Sequence, residues 1–283
     1  MNRAGITVLL AVVFLAGCGG NEEPKFEGVP LEQQDPGPVH VHGLGIDPAD
    51  GSLFIATHTG LFRVAPGKRK AERVDDRRQD TMGFSVAGPG RLLGSGHPDL
   101  RDDLPPLLGL IESTDGGRTW EPLSLLGETD FHVLRAARSH VYGFDSTSGQ
   151  LYVSADRGRT WKTRVPPEPL LDLVVHPDRP TSVLAAASVL YRSDDAGQTW
   201  SAVGGEPALL AWPAAKTLYR VVGSGEVSAS DDAGASWRPL GSIGGQPAAF
   251  IAVSPQELYA ALHDGTIKVS RDGGRSWSIR SRP

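Results

Sequence analysis

Short apolar runs of four or five residues carry the hydrophobic pattern of the chain between residues 38 and 283; examples are residues 53–57, 141–144, 218–222 and 258–262. Glycine, aspartate, serine and proline lie between the runs, and these residues favour turns. Short apolar runs bounded by turn residues are typical of β-strands rather than of helices. The pattern therefore predicts an all-β chain built from many short strands.

An eight-residue pattern recurs five times after one of the strand-like runs. Each copy reads Ser-x-Asp-x-Gly-x-Thr/Ser-Trp, and the copies begin at Ser113, Ser154, Ser193, Ser230 and Ser270, which are 41, 39, 37 and 40 residues apart. Serine and aspartate side chains can bind the backbone amides of a short loop, and glycine can adopt a positive φ there. A calcium site is the alternative, but each copy offers few carboxylates for calcium.

These copies resemble the Asp-box, or BNR, repeat of the sialidase-like β-propellers. The resemblance implies blades of four strands, A to D, with the box in the turn between strands C and D. A sixth unit without a box keeps the same frame at residues 60–67. Residues 38–283 divide into six units of 41 residues, a length that suits a propeller blade. We therefore predict an all-β, six-bladed β-propeller.

The box residues are expected to be structural, with each tryptophan packing against its blade. They are Asp115, Asp156, Asp195, Asp232 and Asp272, together with Trp120, Trp161, Trp200, Trp237 and Trp277.

The N-terminus predicts export. The apolar run at residues 6–16 is too short to span a bilayer, and it ends in Leu15-Ala16-Gly17-Cys18, which resembles the bacterial lipobox. The resemblance implies a signal peptide at 1–17, a lipid on Cys18, a flexible tether at 18–37 and the propeller at 38–283. The expected location is the outer side of the cytoplasmic membrane, or the periplasm or outer membrane of a Gram-negative cell. The alternative is a buried structural Cys18.

Composition excludes several classes of function. The chain has 28 Lys and Arg against 33 Asp and Glu, and a net charge of −5 argues against nucleic acid as a partner. Its single cysteine excludes a disulfide framework and a cysteine-based zinc site. We expect a monomer held to the membrane by its lipid.

Histidines concentrate on the predicted face opposite the boxes. The motifs His40-x-His42, Asp80-x-Met82 and Asp130-x-His132 align at the start of strand A, and further histidines follow strand B. His140 and His176 map to the box face. The candidates for ligand or metal binding are His40, His42, His58, Met82, His97, His132 and His263.

Imidazole, thioether and carboxylate groups in one cavity suit copper or zinc, and the Met82 thioether favours copper. Metal affinity should then fall below a pH of about 6.5, where free histidine takes up a proton. An organic ligand such as a glycan in the same cavity remains the alternative.

A glycoside hydrolase is a further alternative, as is a protein-interaction scaffold. The chain lacks the Arg-Ile-Pro motif of sialidases, and Tyr142, Tyr219 and Tyr259 share a repeated strand position that indicates packing. Any other glycosidase needs two carboxylates flanking the bond. The carboxylates predicted on the histidine face are Asp80, Asp99, Asp130 and Asp172. An inserted loop at residues 97–108 is predicted on the same face. It is either a lid over the cavity or a surface insertion without a function.

Overall fold

The computed structural model describes residues 37–283, and these residues form 24 strands and no helix. The strands make six antiparallel sheets of four consecutive strands each, which are the blades of a propeller. The predicted fold is confirmed.

The first three blades cover residues 41–164. Their strands are β1 Val41–Ile46, β2 Leu53–Thr57, β3 Gly60–Val64 and β4 Glu72–Arg73; β5 Asp80–Gly88, β6 Arg91–His97, β7 Leu110–Ser113 and β8 Glu121–Ser124; β9 Phe131–Ala137, β10 His140–Asp145, β11 Gln150–Ser154 and β12 Lys162–Arg164.

The last three blades cover residues 172–281. Their strands are β13 Asp172–Val175, β14 Val183–Ala186, β15 Leu190–Ser193 and β16 Ser201–Gly204; β17 Ala208–Ala214, β18 Thr217–Val222, β19 Glu226–Ser230 and β20 Arg238–Ser242; β21 Pro247–Ala252, β22 Leu258–Leu262, β23 Ile267–Ser270 and β24 Ser278–Ser281.

Six apolar cores lie between neighbouring blades, one at each interface of the ring. The sixth interface joins the last blade to the first, where Ile55 and Phe62 pack with Tyr259 and Ile267. The first and last sheets each contain only their own consecutive strands. The ring is therefore closed by side-chain packing and not by exchange of a strand.

The innermost strands of the first three blades approach closely because glycine occupies the contact points. A Cβ on Gly43 of β1 would lie 2.8 Å from Cβ of Phe84 on β5. A Cβ on Gly83 of β5 would lie 2.3 Å from the Phe131 carbonyl oxygen of β9. A side chain at Gly43 or Gly83 would push these strands apart, and it would also separate the residues at the ends of the strands.

Each box is a hydrogen-bonded turn, as the copy in blade four shows. Ser193 Oγ donates to Asp195 Oδ1 at 2.8 Å and accepts the Gly197 N–H at 2.9 Å. Asp195 accepts the Thr199 N–H at 2.9 Å and the Thr199 hydroxyl at 2.6 Å. Gly197 has a φ of 77°, and its carbonyl accepts from Trp200 Nε1 at 3.1 Å. Every carboxylate oxygen of this box is occupied by the turn itself.

The box tryptophans pack against their blades as expected, but they are only half-buried. Each tryptophan comes directly before the outermost strand of its blade, whose outer face meets solvent. Its ring therefore seals the edge of an inter-blade core rather than filling the centre. Removing such a ring should cost less than the roughly 3–5 kcal/mol of a fully buried tryptophan.

Closure of the ring is tested by a matched pair of isoleucine substitutions. Ile55 is fully buried in the interface between blades six and one, and Ile279 on β24 is 43% exposed. Ile55→Ala should lower the free energy of unfolding by about 2–5 kcal/mol, and Ile279→Ala by less than about 0.5 kcal/mol. Denaturant unfolding measures both. Equal losses would contradict closure by apolar packing.

The box is tested by two adjacent aspartates. Asp232 accepts hydrogen bonds from Ser230 and Ser236, whose hydroxyl donors lower the pKa of Asp232 to about 2. Asp231 is its exposed neighbour, at a variable position of the box pattern. Asp232→Ala should lower the Tm at pH 7, and Asp231→Ala should not. An equal effect of both changes would show that the box bonds do not stabilise the turn.

The same hydrogen bonds make the stability of the folded protein depend on pH. The pKa of Asp232 is lower in the folded protein than the ordinary value of about 3.9, so the unfolded chain takes up the proton first as pH falls. The contribution of Asp232 is thus present above pH 4 and is lost towards pH 2. The Tm difference between the protein and Asp232→Ala should shrink over that window. A constant difference would contradict the account.

Candidate functional site

A cavity of about 330 Å³ opens at the end of the ring opposite the boxes, where the innermost strands begin. Its lining includes His40, His42, Met82, His132, Asp172 and His263. A second cavity of about 260 Å³ lies further along the channel, and Leu44, Phe84 and Phe250 line both. The two cavities therefore adjoin along the channel.

The first histidine group joins blades one and two. His58 Nδ1 lies 2.9 Å from Asp80 Oδ2, and His42 Nε2 lies 4.0 Å from Asp80 Oδ1. The rings of His42 and His58 meet edge to face, with centroids 4.3 Å apart. One potential ligand atom from each of the three residues lies within 4.8 Å of the other two. Two imidazoles and a carboxylate thus converge on one point.

Two atoms of this group are buried without a hydrogen-bond partner among the described residues: His42 Nε2 and Asp80 Oδ1. Burial lowers the pKa of His42 to about 4, and the nearby His58 lowers it further than Asp80 raises it. His42 is therefore neutral at pH 7, which is the form of histidine that binds metals. A buried polar atom without a partner destabilises the fold, and an ion or ligand that binds it would remove that cost.

His40 enters the site through an unusual backbone conformation. Its φ of 52° lies in the left-handed region, which is uncommon for a residue with a side chain. This conformation comes directly before β1 and sets the imidazole 5.5 Å from the His58 ring, measured between centroids. His40 thus lies beside the first group and lines the cavity.

The second histidine group joins blades two and three. His132 Nε2 lies 2.9 Å and His97 Nε2 lies 3.5 Å from Asp130 Oδ2. The Asp130 side chain is only 6% exposed, and its Oδ1 atom is buried without a partner among the described residues. The hydrogen bond from His132 to Asp130 raises the pKa of His132. We had expected one convergent set of histidines, but the structure divides them into two groups at adjacent blade interfaces.

Asp172 and Arg135 form the charged part of the inner wall. Arg135 Nη2 donates to Asp172 Oδ1, and Asp172 also accepts the Leu173 and Leu210 N–H groups at 2.7 and 2.8 Å. The carboxylate is buried and fully engaged, so Asp172 is a poor candidate for an acid or base. Sequence reasoning missed Arg135. The available signal was an arginine within the inner strand Phe131–Ala137, whose other residues apart from His132 are apolar.

Asp99 does not reach the cavity, contrary to the expectation that it was a candidate acid or base. Its buried carboxylate accepts from Arg101 and from the Arg78 N–H, at 2.7 Å each. Arg101 pairs in turn with Asp76 at 2.8 Å. Asp99 is therefore the anchor of the inserted loop, which leaves the Leu100 side chain fully exposed.

The remaining histidines lie where the pattern predicts. His263 lines the cavity outside both groups. His140 borders a groove beside Asp156 and Asp195 of two boxes, and His176 packs on Trp212 with centroids 4.9 Å apart. Six of the eight histidines thus lie at the channel mouth and two lie towards the boxes.

Comparison with known proteins supports the interpretation of the repeated segments as Asp boxes. A family model described as "Sortilin, neurotensin receptor 3" matches residues 109–222, a stretch that contains three boxes. These boxes have the bonded turn geometry described above. The described residues form a β-propeller with Asp-box turns.

The chain is similar to xyloglucanases in a curated protein and in a solved structure. A xyloglucanase of Paenibacillus sp is 28% identical over an alignment of 189 residues that covers 59% of this chain; the chain spans only 16% of the length of that curated relative. Among solved structures, the GH74 xyloglucanase from Xanthomonas campestris is 19% identical with a TM-score of 0.55, over 86% of this chain and 45% of that one.

Two solved structures match over most of their own length. YCF48 from Cyanidioschyzon merolae is 14% identical with a TM-score of 0.54, over 87% of this chain and 86% of that one. A chain of a nidogen/laminin complex is 13% identical with a TM-score of 0.64, over 82% and 93%. At these identities the likeness shows the fold alone.

The predicted signal peptide, Cys18 and most of the tether lie outside the described residues. Within the described part of the chain, no helix is long and apolar enough to cross a membrane.

The pKa values of His42 and His132 should be shifted in opposite directions in the metal-free protein. Burial lowers the pKa of His42 to about 4, and Asp130 raises the pKa of His132 above the usual 6.5. Proton NMR of the imidazole C–H signals, assigned with His42→Ala and His132→Ala, measures both midpoints. A midpoint of His42 above that of His132 would contradict the described geometry.

Proposed function

We propose that this Asp-box propeller is an exported, lipid-anchored binding protein with a transition-metal site at the channel mouth. The site consists of His42, His58 and Asp80. The observation that carries the proposal is the facing pair of buried, unpartnered atoms, His42 Nε2 and Asp80 Oδ1. A cation between them would satisfy both atoms at once.

The donor set fits a divalent transition metal. Zinc binds histidine nitrogen and carboxylate oxygen at about 2.0–2.2 Å, so two ligands at a tetrahedral centre lie roughly 3.4 Å apart. The 4.0 Å between His42 Nε2 and Asp80 Oδ1 reaches that separation with a small side-chain rotation. Two imidazoles and one carboxylate suit Zn²⁺ or Cu²⁺. The three protein ligands leave a further coordination position for a ligand or water.

Calorimetric titration of metal-free protein with Zn²⁺ and Cu²⁺ tests this site. His42→Ala should weaken binding by more than about tenfold, because it removes a ligand that is neutral at pH 7. His263→Ala removes a histidine from the same cavity but from neither group, and should leave the affinity unchanged. Absence of binding, or equal losses in the two variants, would overturn the proposal and favour an organic ligand in the cavity.

The anchor is tested separately. A lipid on Cys18 would hold the protein on a membrane through its acyl chains. Cys18→Ser should move the protein from the membrane fraction to the soluble fraction, or leave the unprocessed precursor. Cys18 is the only cysteine of the chain, so no other thiol can replace it. A Ser variant of mature size that still sediments with membranes would contradict a lipid anchor.

Glycoside hydrolysis is the second candidate, favoured by the similarity to a xyloglucanase. Asp80 and Asp130 are the carboxylates available for it, since Asp172 and Asp99 are engaged by arginine. Incubation with xyloglucan, followed by an assay for reducing ends, compares the protein with Asp80→Asn and Asp130→Asn. Release of sugar that both variants abolish would replace the binding role with an enzymatic one. Capture of an envelope protein without metal or glycan would instead favour a scaffold.

A further inference from the structure

We propose that a patch of cations at the junction of blades six and one docks on an anionic lipid surface and sets how the propeller lies on the membrane. This seam patch consists of Lys68, Arg69, Lys70, Arg280 and Arg282. The inference rests on the lipid anchor of the proposed function, and it adds an orientation to that anchor.

The turn between the third and fourth strands of blade one differs from the same turn in the other five blades. It lies at residues 65–71, has no box and no acidic residue, and carries three consecutive cations, Lys68, Arg69 and Lys70. All three side chains are exposed, and none forms a hydrogen bond or an ion pair within residues 37–283. Their charges are therefore available to an anion outside the chain.

The outermost strand of blade six extends the patch. Arg280 on β24 donates to the carbonyl oxygen of Lys68, so the last blade contacts the turn of the first. Arg282 follows the end of β24 and is exposed. Neither arginine forms an ion pair with a carboxylate in the described part of the chain. Five cations thus lie along one junction of the ring.

The N-terminal segment joins the propeller next to this patch. A Cβ on Gly37, the first described residue, would lie 3.8 Å from the carbonyl carbon of Pro283. Pro283 comes three residues after Arg280, a distance of roughly 10 Å along an extended chain. Cys18 precedes Gly37 by 19 residues, which reach at most about 65 Å. A lipid on Cys18 would therefore keep the seam patch within reach of the headgroups.

The charge of the patch selects the lipid surface as its partner. The chain as a whole carries a net charge of −5, so an anionic bilayer attracts it only where cations cluster. This attraction extends over about 8 Å at physiological salt, and it therefore acts on the side of the ring that bears the patch. A lipid anchor combined with a basic patch gives stable membrane attachment. With the side of the ring against the bilayer, the channel mouth stays open to a ligand.

Lysine footprinting of the lipidated protein tests the docking. The protein is reconstituted on vesicles of phosphatidylcholine, either alone or with about one third phosphatidylglycerol, and treated briefly with an acetylating ester. Mass spectrometry then measures the modification of each lysine. Lys68 and Lys70 should react more than about tenfold more slowly on the anionic vesicles. Lys162 and Lys216, exposed on blades three and five, are the internal controls and should react equally on both.

A pair of double variants tests the contribution of blade six while keeping both reporter lysines. Arg280→Gln with Arg282→Gln removes two cations of the patch and should reduce the protection of Lys68 on anionic vesicles to less than about threefold. Arg78→Gln with Arg238→Gln removes the same charge from exposed positions outside the patch and should leave the protection unchanged. Equal effects of the two double variants would show that net charge alone is responsible, and would overturn the docking.

The remaining outcomes separate this inference from the proposed anchor. Equal labelling of Lys68 on both kinds of vesicle, with the protein sedimenting with both, would overturn the docking and keep the anchor. Sedimentation with anionic vesicles alone would keep the patch and overturn the anchor, and sedimentation with neither would overturn both. Protection on both kinds of vesicle would also overturn lipid docking, and would indicate that acidic residues between 22 and 35 cover the patch.

Discussion

The structure depends on the packing of each four-stranded sheet against its neighbours around a closed ring. A single small sheet cannot bury enough apolar surface alone, and here every blade contributes to two of six interfacial cores. The ring closes through Ile55, Phe62 and their partners on blade six without strand exchange. Because all the inner strands run in one direction, their first residues gather at one mouth of the channel.

The chemistry of the mouth follows from how tightly those strands approach. Gly43 and Gly83 allow the inner strands of blades one, two and three to pack in close contact. His42, Asp80 and Asp130 lie at the ends of these strands, close enough for groups on adjacent blades to meet. The boxes lie at the other end of the ring, where the carboxylate of each box aspartate accepts hydrogen bonds from its own turn. Stability and ligand chemistry are thus separated along the axis of the ring.

The fold can be predicted from the sequence because each box is held by hydrogen bonds within one short segment. The five boxes therefore define the turn, and their spacing defines the blade length. It also predicts the common face of the histidines, since strand direction alone decides which end of a blade a residue occupies. It does not predict that His42 and His132 belong to different groups, because that depends on contacts between blades. The anchoring role of Asp99 and the inner position of Arg135 likewise depend on residues distant in sequence.

Crystals of the protein soaked with Zn²⁺ and measured at the zinc absorption edge would test the metal centre most directly. The account predicts an anomalous peak between His42 Nε2 and Asp80 Oδ1, about 2.0–2.2 Å from each atom. A mouth without an anomalous peak, or peaks only at box aspartates, would contradict it.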